Sequence, residues 1–89
     1  MRIVGDQWSV RIVLTLSGGA ARFTALRAEL NQVSTRTLTL RLRILAECGA
    51  VIRTAYPEVP PRVEYALTDR GRQLGAALKA AAEWFAEDS

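Results

Sequence analysis

The chain has 89 residues, enough for one domain that buries about 60–65% of its unfolded surface. Apolar residues make up 49% and charged residues 24%, with a net charge of +3, a globular composition rather than a disordered one. One cysteine and no histidine exclude an internal disulfide and the common zinc ligands, which leaves oligomerisation to support a small core.

The first predicted element is a helix over residues 6–16, with Asp6 as N-cap after Gly5 and Gly18-Gly19 as its stop. Trp8, Val10, Ile12, Val13, Leu14 and Leu16 surround its axis, interrupted by the charge of Arg11. A helix apolar on all sides must be covered on all sides, so one face takes the core and the other requires a partner. Arg22-Phe23 reads as a short strand and Thr24 as the cap of a short second helix with Leu26 and Leu30 inward. Asn31-Gln32-Val33 makes a tight connection, and Ser34 caps a third helix that runs to about Cys48 and ends at Gly49. Two short helices so joined predict a helix-turn-helix over about residues 24–48.

Beyond Gly49 the apolar period becomes two. Residues 51–56 and 62–67 read as the strands of a wing over about residues 51–67, with Val63, Tyr65 and Leu67 on a common face. Pro57-Glu58-Val59-Pro60-Pro61 between them makes a stiff tip, because proline fixes φ and offers no N–H. Thr68 caps a last helix over about residues 69–86, with a stripe of Gly71, Leu74, Leu78, Ala81 and Phe85 flanked by alanines. The fold class is therefore α+β and mostly helical, a single domain over residues 1–89: a winged helix-turn-helix with a two-stranded wing and a C-terminal dimerisation helix.

On the third helix Leu38, Leu42 and Leu45 share one side and form a buried seam, while Arg36, Thr39, Leu40, Arg43 and Glu47 fall opposite. Leu40 gains nothing on a solvated face but can meet a thymine methyl in a major groove. Arg36 and Arg43 are the base-reading candidates, since a guanidinium grips guanine O6 and N7 together. Ser34, Thr35 and Thr37 in the first turn can reach phosphates. Arg53 and Arg62 of the wing sit where the strands meet an adjacent DNA backbone; their alternative role is pairing with Glu58 or Glu64. Five arginines against two acids lie in residues 34–62, whereas residues 63–89 carry five acids against three bases. The middle of the chain is thus the end suited to a polyanion. An ordinary solvated face carrying one stray leucine is the plainer reading of this helix, and the wing that follows weighs against it.

For the dimer, Trp8 and Ile12 of the first helix and Ala77, Ala81, Trp84 and Phe85 of the last supply the predicted interface, with Gly75 permitting close approach. Leu74 and Leu78 serve equally well in the monomer's own core. Cys48 reads as a part-buried packing residue and a poor redox sensor. With no histidine, phosphate-cradling glycine loop or paired carboxylates beyond helix surfaces, no catalysis, metal or cofactor is expected. An RNA platform lacks its stacking aromatics. No apolar run reaches the roughly 18 residues of a membrane span and no basic-then-apolar leader is visible, so a cytoplasmic, nucleoid-associated protein is expected.

Gly5-Asp6-Gln7-Trp8, Arg22-Phe23-Thr24-Ala25-Leu26, Ser34-Thr35-Arg36-Thr37-Leu38-Thr39 with Arg41-Leu42-Arg43, and the wing from Tyr56 to Tyr65 with Leu67-Thr68 resemble the motifs of HxlR-type regulators, a MarR-related branch of winged helix transcription factors. The resemblance covers almost the whole chain. It implies a homodimer on a pseudo-palindromic operator in double-stranded DNA, its third helix in the major groove and its first and last helices at the dimer interface. Since most members repress, it implies a repressor. The alternative is a winged helix used only for protein contacts. Two departures bear on mechanism. Members often carry a polar residue, commonly Gln, where this chain has Leu40, so a base preference does not transfer. Many also have a sensing cysteine just ahead of the opening motif, where this sequence has none; the sensor is either absent or lies beyond the given sequence. Neither a small-molecule nor a redox effector is identified by these residues.

Overall fold

The computed structural model describes residues 7–88, so the Asp6 cap and the start of the opening motif lie outside the described residues. Helix α1 is Gln7–Leu16, followed in order by strand β1 (Ala21–Arg22), helices α2 (Phe23–Glu29) and α3 (Thr35–Glu47), strands β2 (Val51–Tyr56) and β3 (Arg62–Leu67), and helix α4 (Asp69–Asp88). The mostly helical winged fold is as expected, with two adjustments to its sheet and second helix.

The two-stranded wing is joined by the short first strand into a three-stranded antiparallel sheet of order β1-β3-β2, with Ala21 opposite Tyr65 and Arg22 opposite Glu64. The short strand thus sits one residue earlier than the expected Arg22-Phe23. Phe23 instead begins α2, and Arg22 is its N-cap without a side-chain hydrogen bond, replacing the expected Thr24. The apolar spacing explains the shift. Half-buried Phe23 and buried Leu26 and Leu30 lie on one helical face, so the helix must start at Phe23 for all three to meet the core. The connection after α2 turns on Gln32 at φ 80°, and Val33 N–H donates to Leu30 O at 3.1 Å.

α1 buries Ser9, Ile12, Val13 and Leu16, while Leu14 on its other side is 37% exposed. Ile12, Val13 and Leu16 join Leu26, Leu30, Val33, Leu38, Leu42, Leu45, Ala50, Val51 and Leu67 in one core shared by α1, α2, α3 and the sheet. The hairpin pairs Val51 with Leu67 at its base and Tyr56 with Arg62 at its tip.

The start of α4 is stitched to the turn between α3 and β2. Thr68 N–H donates to Ala50 O at 3.0 Å, the Thr68 hydroxyl donates to Gly49 O, and Gly71 N–H donates to the Thr68 hydroxyl at 3.0 Å. Thr68 is therefore the N-cap read from the sequence. The helix approaches so closely that a Cβ at Gly71 would run into the Ala50 carbonyl, and one at Gly75 would stand 2.7 Å from Ser17 Oγ on the α1 side. Gly75 was expected to admit a second chain; instead it is buried and admits α1 of the same chain. The predicted stripe divides along the helix: Gly71 is buried and Leu74 and Leu78 are half-buried, but Ala81 and Phe85 are exposed where α4 outruns the core.

Candidate nucleic-acid interface

Leu38, Leu42 and Leu45 are at most 1% exposed, which fixes the rotation of α3 and turns Arg36, Thr39, Leu40, Arg43 and Glu47 outward. Leu40 is 45% exposed. The helix start is capped by Ser34, whose Oγ accepts from Thr37 N at 3.0 Å and donates to Thr37 Oγ1 at 3.0 Å. That hydroxyl therefore serves the helix before it serves any ligand, while Thr35 beside it is exposed and Thr37 is half-buried. Below them, an open cleft of about 560 Å³ between α2 and the start of α3 is lined by Thr24, Arg27, Asn31, Gln32 and Ser34, among others. Arg27 was not singled out from the sequence, and Thr24 only as a helix cap. The available signal was the helix-turn-helix geometry itself, in which the first helix crosses the phosphate backbone.

Arg53 of β2 stands directly opposite Tyr65 of β3. Both line a cleft of about 440 Å³ together with Thr39, Leu42, Arg43 and Ala46 of α3. Arg43 of the helix and Arg53 of the strand thus share one cleft with apolar Leu42 and Ala46, a combination suited to an anionic backbone running between helix and wing. The shared cleft is invisible in sequence because it depends on strand register.

Arg62 behaves differently from Arg53. Its guanidinium is ion-paired to Glu58 at 2.9 Å and to Glu64 at 2.8 Å, and lies 4.1 Å from the centroid of the Tyr56 ring. The pairing weighed as its alternative role is the one it makes.

Among the expected dimer residues, Ile12 is corrected outright: it is 0% exposed in the isolated chain, sealed in its own core, and has no surface left for a partner. Trp8 is half-buried against that core, with the Arg11 guanidinium 4.8 Å above its ring. Ala77 and Ala81 are exposed, as are Trp84 (61%) and Phe85 (65%), whose rings meet edge to face at 5.0 Å.

Cys48 is also corrected. It is the C-cap of α3 and is exposed, because the chain turns away at Gly49 before any element covers it. A packing role carries no weight there. Cys48→Ser is expected to change stability by no more than about 0.5 kcal/mol in denaturant unfolding; a loss beyond 1 kcal/mol or so would mean the thiol is buried after all.

Among the described residues, no group of three or more His, Cys, Asp or Glu could hold a metal ion, and no helix is long and apolar enough to cross a membrane.

Residues 3–88, which hold the buried seam, the outward side of α3 and the hairpin, match the model of the HxlR-like helix-turn-helix family. The chain belongs to that family. An uncharacterized HTH-type transcriptional regulator of Methanothermobacter thermautotrophicus is 40% identical over 81 residues, covering 91% of this HxlR-like chain and 62% of that protein. The HTH-type regulator sll1512 of Synechocystis is 41% identical over 91 residues, covering 98% of this chain and 67% of its own length. The chain therefore spans roughly two thirds of the length of these curated relatives. Among solved structures, the oxidized form of the redox regulator HypR aligns with TM-score 0.86 and 36% identity, covering 93% of this chain and 86% of that one. The reduced form of the Bacillus subtilis transcriptional regulator YodB aligns with TM-score 0.85 and 30% identity over 93% and 81%. The HxlR-like chain thus shares its fold and family with transcriptional regulators, not with enzymes.

Proposed function

We propose that the chain is a sequence-specific regulator that binds double-stranded DNA as a homodimer and represses transcription from a pseudo-palindromic operator in the cytoplasm. The observation that carries this reading is the outward side of α3, where Arg36, Thr39, Leu40 and Arg43 are exposed and where Thr39 and Arg43 line one cleft with Arg53 of the wing. Arg36 and Arg43 hold base edges, Leu40 meets a thymine methyl, and Thr39 contributes a hydroxyl; Ser34, Thr35 and Thr37 place the helix start against phosphate. Arg53 follows the adjacent backbone. Selecting bound duplexes from a random library at a stated salt concentration should return two similar half-sites about 10 bp apart, or a multiple of that. Recovery of random sequence would contradict the proposal.

Pairing of two chains is supported by the exposed Trp84–Phe85 stack at the far end of α4, flanked by Ala77 and Ala81, which let a second helix approach. Trp8, half-buried on α1, is assigned to the same interface by this reading. Ala81→Glu is expected to sediment as a monomer of lowered stability while wild type sediments as a dimer at micromolar concentration. A well-folded wild-type monomer under those conditions would contradict the dimer.

A further inference from the structure

We infer that Arg62 is a positioning residue of the wing, acting through Glu58 and Glu64, and that it does not itself meet DNA. The inference rests on the DNA-binding reading above and divides the wing's two arginines by task. Arg62 opens β3 directly opposite Tyr56, the last residue of β2, so this pair closes the hairpin. Nη1 donates to Glu64 Oε2 at 2.8 Å and Nη2 donates to Glu58 Oε2 at 2.9 Å. The guanidinium carbon lies 4.1 Å from the Tyr56 ring centroid, and Nε is enclosed with no acceptor among the described residues. The side chain is 26% exposed. Each terminal nitrogen thus already donates to a carboxylate and one flat face lies on a ring; each keeps a second N–H, but the two carboxylates offset the charge that would draw a phosphate.

The tip has a reason to need such a clasp. Glu58 N–H donates to Tyr56 O at 2.8 Å, but Pro57, Pro60 and Pro61 have no N–H to give. Side chains must therefore supply much of the hold on the loop. Glu58 and Glu64 would also repel a polyanion if left bare, and the charge between them offsets that repulsion. Arg53 lies on the other side of the sheet: residues three apart on a strand face opposite ways, and Arg53 with Tyr65 lines the α3 cleft while Tyr56 with Arg62 does not. Direct contact therefore falls to Arg53, and Arg62 holds the wing in the shape that delivers it.

Two readouts separate this role from a direct phosphate contact. The first is amide hydrogen exchange of Ala55, Tyr56, Glu58 and Val63 in the DNA-free protein. Arg62→Ala and the double variant Glu58→Gln/Glu64→Gln should each accelerate it roughly three- to tenfold, with α3 amides unchanged. Arg62→Lys should recover only part of the protection, since one ammonium cannot span two carboxylates and stack on a ring. The second is affinity for a selected duplex across a salt series. The double variant should bind several-fold more weakly although it removes two negative charges, and Arg62→Ala should keep the wild-type salt slope. If Arg62 gripped phosphate, the double variant would bind more tightly, Arg62→Lys would bind like wild type, and Arg62→Ala would lose about 0.9 of the logarithmic slope. Those results, or wing exchange unchanged in Arg62→Ala, overturn the inference. Faster wing exchange in a protein that binds no duplex would uphold the clasp and overturn the DNA reading beneath it.

Discussion

Gly71→Ala is expected to lower stability by about 2–4 kcal/mol, a fall in Tm of roughly 10–20 °C for a domain of this size. Two effects oppose each other at this position. Alanine in a helix is normally better than glycine by about 0.5–1 kcal/mol, because it restricts the unfolded chain. At Gly71 the added methyl would overlap the Ala50 carbonyl, an acceptor already bonded to Thr68 N–H. Backbone cannot swing aside as a flexible side chain can, so α4 would have to lift from the α3–β2 turn, loosening the Thr68 cap with it. The steric term wins. Gly75→Ala is crowded only by a side-chain hydroxyl, Ser17 Oγ, its other neighbours standing at ordinary contact distance, and should cost less. Chemical denaturation of the two variants side by side checks the ranking; a stabilised Gly71→Ala would mean that α4 does not sit against that turn.

Arg36→Ala and Arg43→Ala should each cost about 1–3 kcal/mol in binding a selected duplex, up to roughly 150-fold in Kd, and relax the preference at one base position. Neither side chain supports the core: both are exposed, and the leucine seam behind them is complete without them. Folding stability should accordingly stay within about 0.5 kcal/mol of wild type. Arg43 also borders the cleft it shares with Arg53, so its removal should weaken non-specific binding more than removal of Arg36 does. Re-selection from the random library with each variant reads the outcome directly. An Arg43→Ala protein with unchanged site preference would mean that this side of α3 does not read bases.

Much of this architecture was legible in the residues. Leu38, Leu42 and Leu45 repeat at helical spacing and Val63, Tyr65 and Leu67 at strand spacing, and each pattern names the side that must be buried. Ser34 and Thr68 stand where helices begin and carry the hydroxyl a cap requires. What escaped depends on neighbours distant in sequence. The short strand was expected at Arg22-Phe23, but two residues have no period of their own to fix their bounds, and the edge of β3 sets β1 one residue earlier. Ile12 and Leu14 are equally apolar, and only the packing of the core decides that one is sealed and the other exposed. A small residue such as Gly75 announces a close approach without saying whether the approaching helix is from its own chain. Arg53 and Arg62 have the same side chain on the same hairpin, and strand register alone sends one to the α3 cleft and the other to two carboxylates.

By this proposal the outward side of α3 and the wing together bind duplex DNA by sequence. The most direct test is a titration of the wild-type protein with a selected duplex and a scrambled duplex of equal length and composition, repeated over a series of salt concentrations. Affinity for the selected duplex should be greater by about 10³-fold or more, with the logarithm of affinity for both falling linearly as the logarithm of salt rises. Equal affinity for the two duplexes, or no salt-dependent binding to either, would contradict it.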